Sequence, residues 1–409
     1  MQQTGFNGKT GTSVSKYFVV FVLATTAFAY YYTMSNVLTE ITKNLGMTQM
    51  EKLLIMGAFY VGVGFSTVTG AFLSSRHVHR RTILHLWLVL AIFSSLFSIW
   101  IEGAPITTLA TISLFWGIAV GLGMPACMAS FADSTTAENR GSLGGILAFV
   151  FNICLFSLAL LLSTLTLTYR VQAFTMWLLI NLGISFLFRK ELEQANDIKI
   201  PRLSSILSER RVFLYMIPWI MFCLVNSLET PVLRNFFGTE FADFGAVIES
   251  AISSVCALIV GFLADRIGRK IIAIAGFALL GIGYAVLGLL TNVQVSWYLY
   301  AVVDGIAWGM FVVLFFIVLW GDLANDMFKD KYYLLGGLPF LLSWFVQLLI
   351  EPYVESISVY AAFSLAAFFL FLAVLPLMYA PETLPEKRIK ERELKTYIEK
   401  AKKVKKKYA

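Results

Sequence analysis

Apolar runs of about 18–25 residues, each broken by a short polar stretch, recur along almost the whole chain. Twelve can be placed, at 17–36, 51–73, 82–101, 106–131, 142–166, 171–188, 212–233, 243–264, 270–290, 296–321, 332–351 and 357–379. As helices rising about 1.5 Å per residue, these runs match a hydrocarbon core of about 30 Å. Ala27-Phe-Ala29 in the first run has the look of a signal-cleavage site. That run is longer than a usual signal h-region and completes an even count, so it reads as a membrane helix.

The composition agrees. Of 409 residues, 58% are hydrophobic and 14% charged, and the mean hydropathy is +0.76, which a soluble fold of this size would have to leave largely in water. With both termini inside, all of the 32 Lys and Arg lie on the cytoplasmic face except Lys43, Lys52, Arg170 and Arg234. That asymmetry predicts a multi-pass protein of the cell membrane with cytoplasmic termini. The net charge of +7 is then a property of the inner loops and tail and calls for no nucleic acid. Cys127, Cys154, Cys223 and Cys256 all fall in apolar runs without metal-ligand spacing and read as packing residues. His77, His79 and His85 flank the first inner loop and read as interfacial, so no metal and no cofactor are expected.

The polar breaks repeat. Gly261-Phe-Leu-Ala-Asp265-Arg266-Ile-Gly268-Arg269-Lys270 has a faded copy about 190 residues earlier, Leu73-Ser-Ser75-Arg76-His-Val78-His-Arg80-Arg81. Asp133 with Arg140 is echoed by Asp322 with Lys329 at almost the same offset. Two charged devices in the same order, once per half, indicate an internal duplication. It divides the chain into a six-helix bundle at 1–190, a linker at 191–210, a second bundle at 211–380 and a basic tail at 381–409. In the tail, Glu386/Lys390, Glu391/Lys395 and Glu399/Lys403 are acid–base pairs at i,i+4 and predict a solvated helix. Glycines at 261 and 268 allow a tight turn and close helix approach. Asp265 is placed to cap the next helix or to pair with a base from a neighbouring one.

Gly261 to Lys270 resembles the G-x-L-x-D-R-x-G-R-[RK] loop of the major facilitator superfamily. Asp133 to Gly141, following Gly121-x-Gly123-x-Pro125, is similar to the acidic-x6-Arg-Gly signature of its sugar-porter-like and organic-solute-porter-like branch. Pro381-Glu382-Thr383 resembles the Pro-Glu-Thr motif that ends sugar porters. The resemblance implies an all-α membrane protein, twelve helices in two pseudo-symmetric bundles that rock about a central site. It also implies a cytoplasmic gate of Arg76, Asp133, Arg140, Asp265, Arg266, Arg269, Asp322 and Lys329, with Glu382 nearby; the alternative is that these charges only fix topology. The sequence departs from the pattern in several places. Ser75 and Val78 stand where Asp and Gly are usual, which predicts an asymmetric gate anchored mainly by the C-terminal half. Gly117 replaces the helix-four Arg of many proton-coupled members. The helix-five Gly-Pro motif of drug antiporters is absent, as are the sugar-porter patterns of helices seven and ten.

Carboxylates inside membrane helices tend to line a path. Glu229, Glu249 and Asp304 each lie roughly 24–27 Å from the cytoplasmic anchors of their helices, so all three are expected at one depth in the outer third of the second bundle. They are candidates for proton coupling or cation binding, or for facing headgroups. Asn152, Asn226, Trp308 and Trp344, with Tyr30, Tyr31, Tyr32 and Gln347 above, are the expected solute cavity. No Lys or Arg lies deep in a predicted span, which favours a neutral or cationic solute over an anion. The reading is a non-enzymatic, monomeric secondary transporter in the lipid bilayer, with a small organic solute and protons as its partners. A uniporter or exporter of the same fold, or a transport-dead sensor, is the alternative.

Overall fold

The computed structural model describes residues 9–76, 78–101, 103–162, 164–192, 200–324, 327–385 and 394. The tail pairs expected beyond Pro385 lie outside them. Among the described residues the regular structure is helical, and twelve helices are long and apolar enough to cross a membrane. In the first half these are α1 (Lys9–Asn44), α2 (Gln49–Arg76), α3 (Arg80–Leu96), α4 (Ile106–Ser134), α5 (Arg140–Leu162) and α6 (Leu167–Leu187). In the second they are α7 (Arg210–Phe237), α8 (Thr239–Ile267), α9 (Arg269–Leu289), α10 (Gln294–Phe311, continued through a π segment to Ala324), α11 (Asp330–Ile350) and α12 (Val359–Tyr379). Each falls on one expected run; several run past it, while α3 and α5 stop short of the runs at 82–101 and 142–166. Hydropathy marks only the hydrocarbon-depth part of a helix, whereas backbone hydrogen bonding continues into its polar ends.

Lipid offers little hydrophobic drive for helix pairing, so close packing of small residues has to supply it. Within the first bundle α2 lies on α4 over Gly117 and Gly121. A Cβ at Gly117 would stand 2.0 Å from the Phe59 carbonyl oxygen, and one at Gly121 would stand 2.3 Å from that of Val63. Gly117 therefore has a packing role of its own where the superfamily pattern has Arg. The two bundles meet along α2 with α11 and along α5 with α8, which are counterparts under the duplication. At α5/α8 the backbones touch: a Cβ at Gly145 would come within 2.5 Å of the Ala257 carbonyl oxygen, and one at Gly261 within 2.5 Å of that of Gly141. The end of the molecule where these glycines lie also carries both charged hairpins and is called the hairpin end below.

Two local features shape the interior. In α10, Val312–Val318 is a π segment, which leaves carbonyls without their usual i+4 donors. The Trp320 indole donates to Phe315 O, and Tyr333 of α11 donates to Ile317 O, so side chains replace the missing bonds. The linker between the halves holds a short helix, Leu203–Leu207, and is fixed to α11. Buried Lys331 donates to Pro201 O at 2.8 Å, and the Tyr332 hydroxyl to Glu209 Oε1 at 2.9 Å.

A branched side chain at Gly145 has to push α5 away from the α8 backbone. We expect Gly145→Val to lower stability by about 1–3 kcal/mol, read as an earlier thermal unfolding midpoint in detergent. An unchanged midpoint would show that the two bundles do not depend on this contact.

Candidate functional site

At the hairpin end, four cations and four carboxylates are packed between the bundles. Arg80 at the start of α3 bonds Asp330 at the start of α11, with Nε at 2.9 Å, and also bonds Asp133 at the end of α4. Lys329 completes this group on Asp133 at 2.5 Å, and Ser74 donates to Asp330 at 3.0 Å. In the mirrored group, Asp322 at the end of α10 accepts from Arg269 at 3.1 Å and from Arg140 at the start of α5. Arg140 also donates to Thr135 Oγ1 and Ala132 O, and Arg269 to Ala264 O and Ala137 O. Asp330 and Arg269 have no exposed surface, and Asp322 is 5% exposed. Arg80/Arg269, Asp133/Asp322 and Arg140/Lys329 are each 189 positions apart, so the two groups are duplicates. In each, the acid of one half holds a base from both halves.

Asp265 binds differently. Its carboxylate accepts from the Gly141 and Ser142 backbone N–H groups at 2.9 and 2.6 Å, and from Arg269 at 3.0 Å. It caps α5 of the other bundle, where the helix dipole and free amides favour an anion. The cap of α9 is instead Glu382, which accepts from the Arg269 and Lys270 amides at 2.8 and 3.1 Å. Gly268, at φ +103°, admits that carboxylate: a Cβ there would lie 2.3 Å from Glu382 Oε2.

Away from the hairpin end, a cavity of about 330 Å³ opens between the bundles. The first half contributes Phe28 and Tyr32 of α1 with Phe151 and Asn152 of α5. The second half contributes Asn226, Glu229, Thr230 and Arg234 of α7, Glu249 of α8, and Trp297, Tyr300, Asp304 and Trp308 of α10, with Trp344 of α11. Phe316 of the π segment is also part of the wall. The three carboxyls form one chain of contacts. The Tyr300 hydroxyl donates to Glu229 and lies 3.3 Å from Asp304 Oδ2 and 3.2 Å from the Tyr284 hydroxyl. Glu249 and Asp304 lie within hydrogen-bonding reach of each other.

The sequence model of the Major Facilitator Superfamily matches residues 19–319, well over half of the chain. The chain belongs to that superfamily. It is a multi-pass membrane transporter and not an enzyme. Its fold is similar to that of the proton:xylose symporter XylE, solved bound to 6-bromo-6-deoxy-D-glucose. The TM-score is 0.70 at 15% identity, over 91% of this chain and 97% of that one. No curated protein sequence matches it.

The superfamily architecture brings together most of the expected residues and corrects others. Asp133, Arg140, Asp265, Arg269, Asp322 and Lys329 share the ion-pair layer, and Glu382 stands beside it. The Arg76 side chain lies outside the described residues, and Arg266 is exposed at the end of α8 instead of within the buried layer. The first hairpin contributes bases without an acid of its own: its Arg80 is paired by Asp330 from the second half, and neither of these two residues was singled out. The 189-residue offset from Arg269 points to Arg80; Asp330 has no counterpart because position 141 is Gly. Glu229, Glu249 and Asp304 all line the cavity; Glu229 is 6% and Asp304 5% exposed, and Glu249 is half-buried.

Of the three consecutive tyrosines only Tyr32 lines the cavity, because a helix turns about 100° per residue. Tyr30 points to α3, bonding Ser94, and Tyr31 to α11, 3.4 Å from Leu341 O. Gln347, about one turn beyond Trp344, also lies outside the lining. Arg234 does line it, so the inference from a cavity without a base does not hold at the rim. His85 stacks on Phe186 at 4.4 Å, and no group of three metal-ligating side chains occurs among the described residues.

Removing the charge of Asp322 leaves Arg140 and Arg269 buried beside a neutral amide. Asp322→Asn is expected to cost the closed hairpin end about 3–5 kcal/mol. Native Cys127, 1% exposed and near Asp330, reports on this: its maleimide labelling should speed up in the variant. Labelling at the wild-type rate would mean that the layer does not hold this end closed.

Proposed function

We propose that the chain is a proton-coupled secondary transporter that moves a small neutral or cationic organic solute by alternating access. The observation that carries this reading is the meeting of Glu229, Glu249 and Asp304 in a cavity between the two bundles, with Tyr300 bonding Glu229 and Asp304. Acids from three helices of one bundle form a site that can gain and lose protons as the bundles rock. XylE, a proton:xylose symporter of similar fold, is consistent with such coupling. The hairpin end is cytoplasmic in this reading, in line with the basic residues of the inner loops, and the protein works as a monomer in the cell membrane with both termini inside.

The ion-pair layer then serves as the cytoplasmic gate. With it complete, the cavity communicates with the outside; with it broken, its charges hydrate and the cavity faces in. Domain limits at 1–190, 191–210, 211–380 and 381–409 follow from this two-body motion, the linker at Pro201–Glu209 riding with α11.

Proteoliposomes test the coupling. Asp304→Asn should abolish accumulation of solute driven by a pH gradient while leaving exchange between equal concentrations measurable. A variant that keeps its full dependence on the gradient would remove Asp304 from the coupling site.

A further inference from the structure

The cavity is layered along the membrane normal. Counting helix rise from the hairpin end, Glu229, Glu249 and Asp304 lie about 27–30 Å up their helices, whereas Asn152 and Trp344 lie about 18–21 Å up theirs. The upper layer thus offers three carboxyls against one guanidinium, Arg234. The lower layer offers donors. Asn152 Nδ2 and Trp344 Nε1 are buried just beneath the cavity surface and have no acceptor within the protein. The wall is aromatic, with Trp308 between the layers at about 24 Å and with Phe151 and Phe316 just below the lower one.

We propose that this cavity binds an organic ammonium ion that carries a hydrogen-bond acceptor about 8 Å from its charge, the spacing set by the helix rise between the layers. The inference names the solute class for the transport site proposed above and takes that cavity as the site. The ammonium sits against the carboxyl chain, where charge-assisted hydrogen bonds are available from three helices. Its apolar body lies on the aromatic wall, whose ring faces attract a cation and stack on a planar group. The acceptor reaches the Asn152 amide and the Trp344 indole, which a small turn of either side chain brings into the cavity. A buried donor left without an acceptor is unfavourable, so a ligand that supplies one gains affinity there. A polyol gains less, because its neutral hydroxyls forgo the charge-assisted bonds that the carboxyls offer an ammonium, although Tyr32, Asn152, Asn226, Thr230, Ser250, Ser253 and Tyr300 supply neutral partners in the lining.

Three probes separate the layers: para-methoxyphenethylamine, phenethylamine and para-methoxyphenethyl alcohol, with D-xylose as the polyol. Binding to the purified full chain in detergent is read by calorimetry and by thermal stabilisation. The methoxy amine should bind about tenfold more tightly than either analogue. Trp344→Phe keeps an aromatic face and removes the N–H together with the five-membered ring that carries it. It should erase the advantage of the ether while leaving phenethylamine affinity unchanged, which also reports that the variant is folded. Asp304→Asn should weaken both amines and leave the alcohol as it was.

The proposal is overturned if the methoxy amine binds no better than its alcohol, or if D-xylose stabilises the protein and the amines do not. It is likewise overturned, for the lower layer, if Trp344→Phe weakens both amines equally. Failure of the transport reading is distinct: the amines would bind in the expected order, yet a pH gradient would drive no flux of the methoxy amine in proteoliposomes.

Discussion

The structure depends on burying eight opposite charges between two helical bundles at one end. Taking a single ion out of water costs several kcal/mol even after relaxation, and only close, fully hydrogen-bonded pairing offsets that. The layer meets the condition: Arg140 and Arg269 each satisfy three nitrogens, partly with backbone carbonyls, and cations and carboxylates balance. Such a layer has two comfortable states. Either it is dry and complete, or the bundles part and water hydrates every charge. A half-open layer leaves unpaired charges in a low dielectric and is disfavoured, which supports the proposed role of this interface as a two-position gate.

Backbone contact makes the dry state possible. Because Gly145 and Gly261 have no side chains, α5 and α8 approach closely enough for Asp265 to reach the amides at the start of α5. That bond has no exact mirror. Position 76, which is 189 residues before Asp265, is Arg, and position 330, 189 residues after Gly141, is Asp. In one half the hairpin supplies the acid and the facing helix an amide, and in the other the facing helix supplies the acid. Duplication followed by exchange of the charges between partners keeps the layer neutral while its parts differ.

The cavity is asymmetric too. All three of its acids belong to the second half, while the first half lines it with Phe28, Tyr32, Phe151 and Asn152. Tyr300 joins two of the acids, since its single hydroxyl touches Glu229 of α7 and Asp304 of α10 as well as Tyr284 of α9. The π segment of α10 lies directly below, and its Phe316 joins the wall of the cavity. The irregular backbone is tolerated there because Trp320 and Tyr333 supply the donors that the helix lacks.

Helix number, helix order, the duplication and the depth of Glu229, Glu249 and Asp304 were legible in the sequence, because they follow from hydropathy, from spacing and from a fixed rise per residue. Six members of the ion-pair layer were legible too, since a strong motif marks them. Arg80 was passed over for Arg76 because the faded hairpin had been aligned on its acid position, and that position no longer holds an acid. Asp330 carried no motif at all. Tyr300 and Arg234 were missed because a tyrosine or arginine in a helix says nothing of its partners on other helices. The sequence by itself determined which segments cross the membrane and how far along each a polar group lies, since both are properties of one helix. Only the tertiary structure decided which polar groups meet. Rotation about each helix axis is set by packing against neighbours, which is why Tyr32 lines the cavity and Tyr30 and Tyr31 do not.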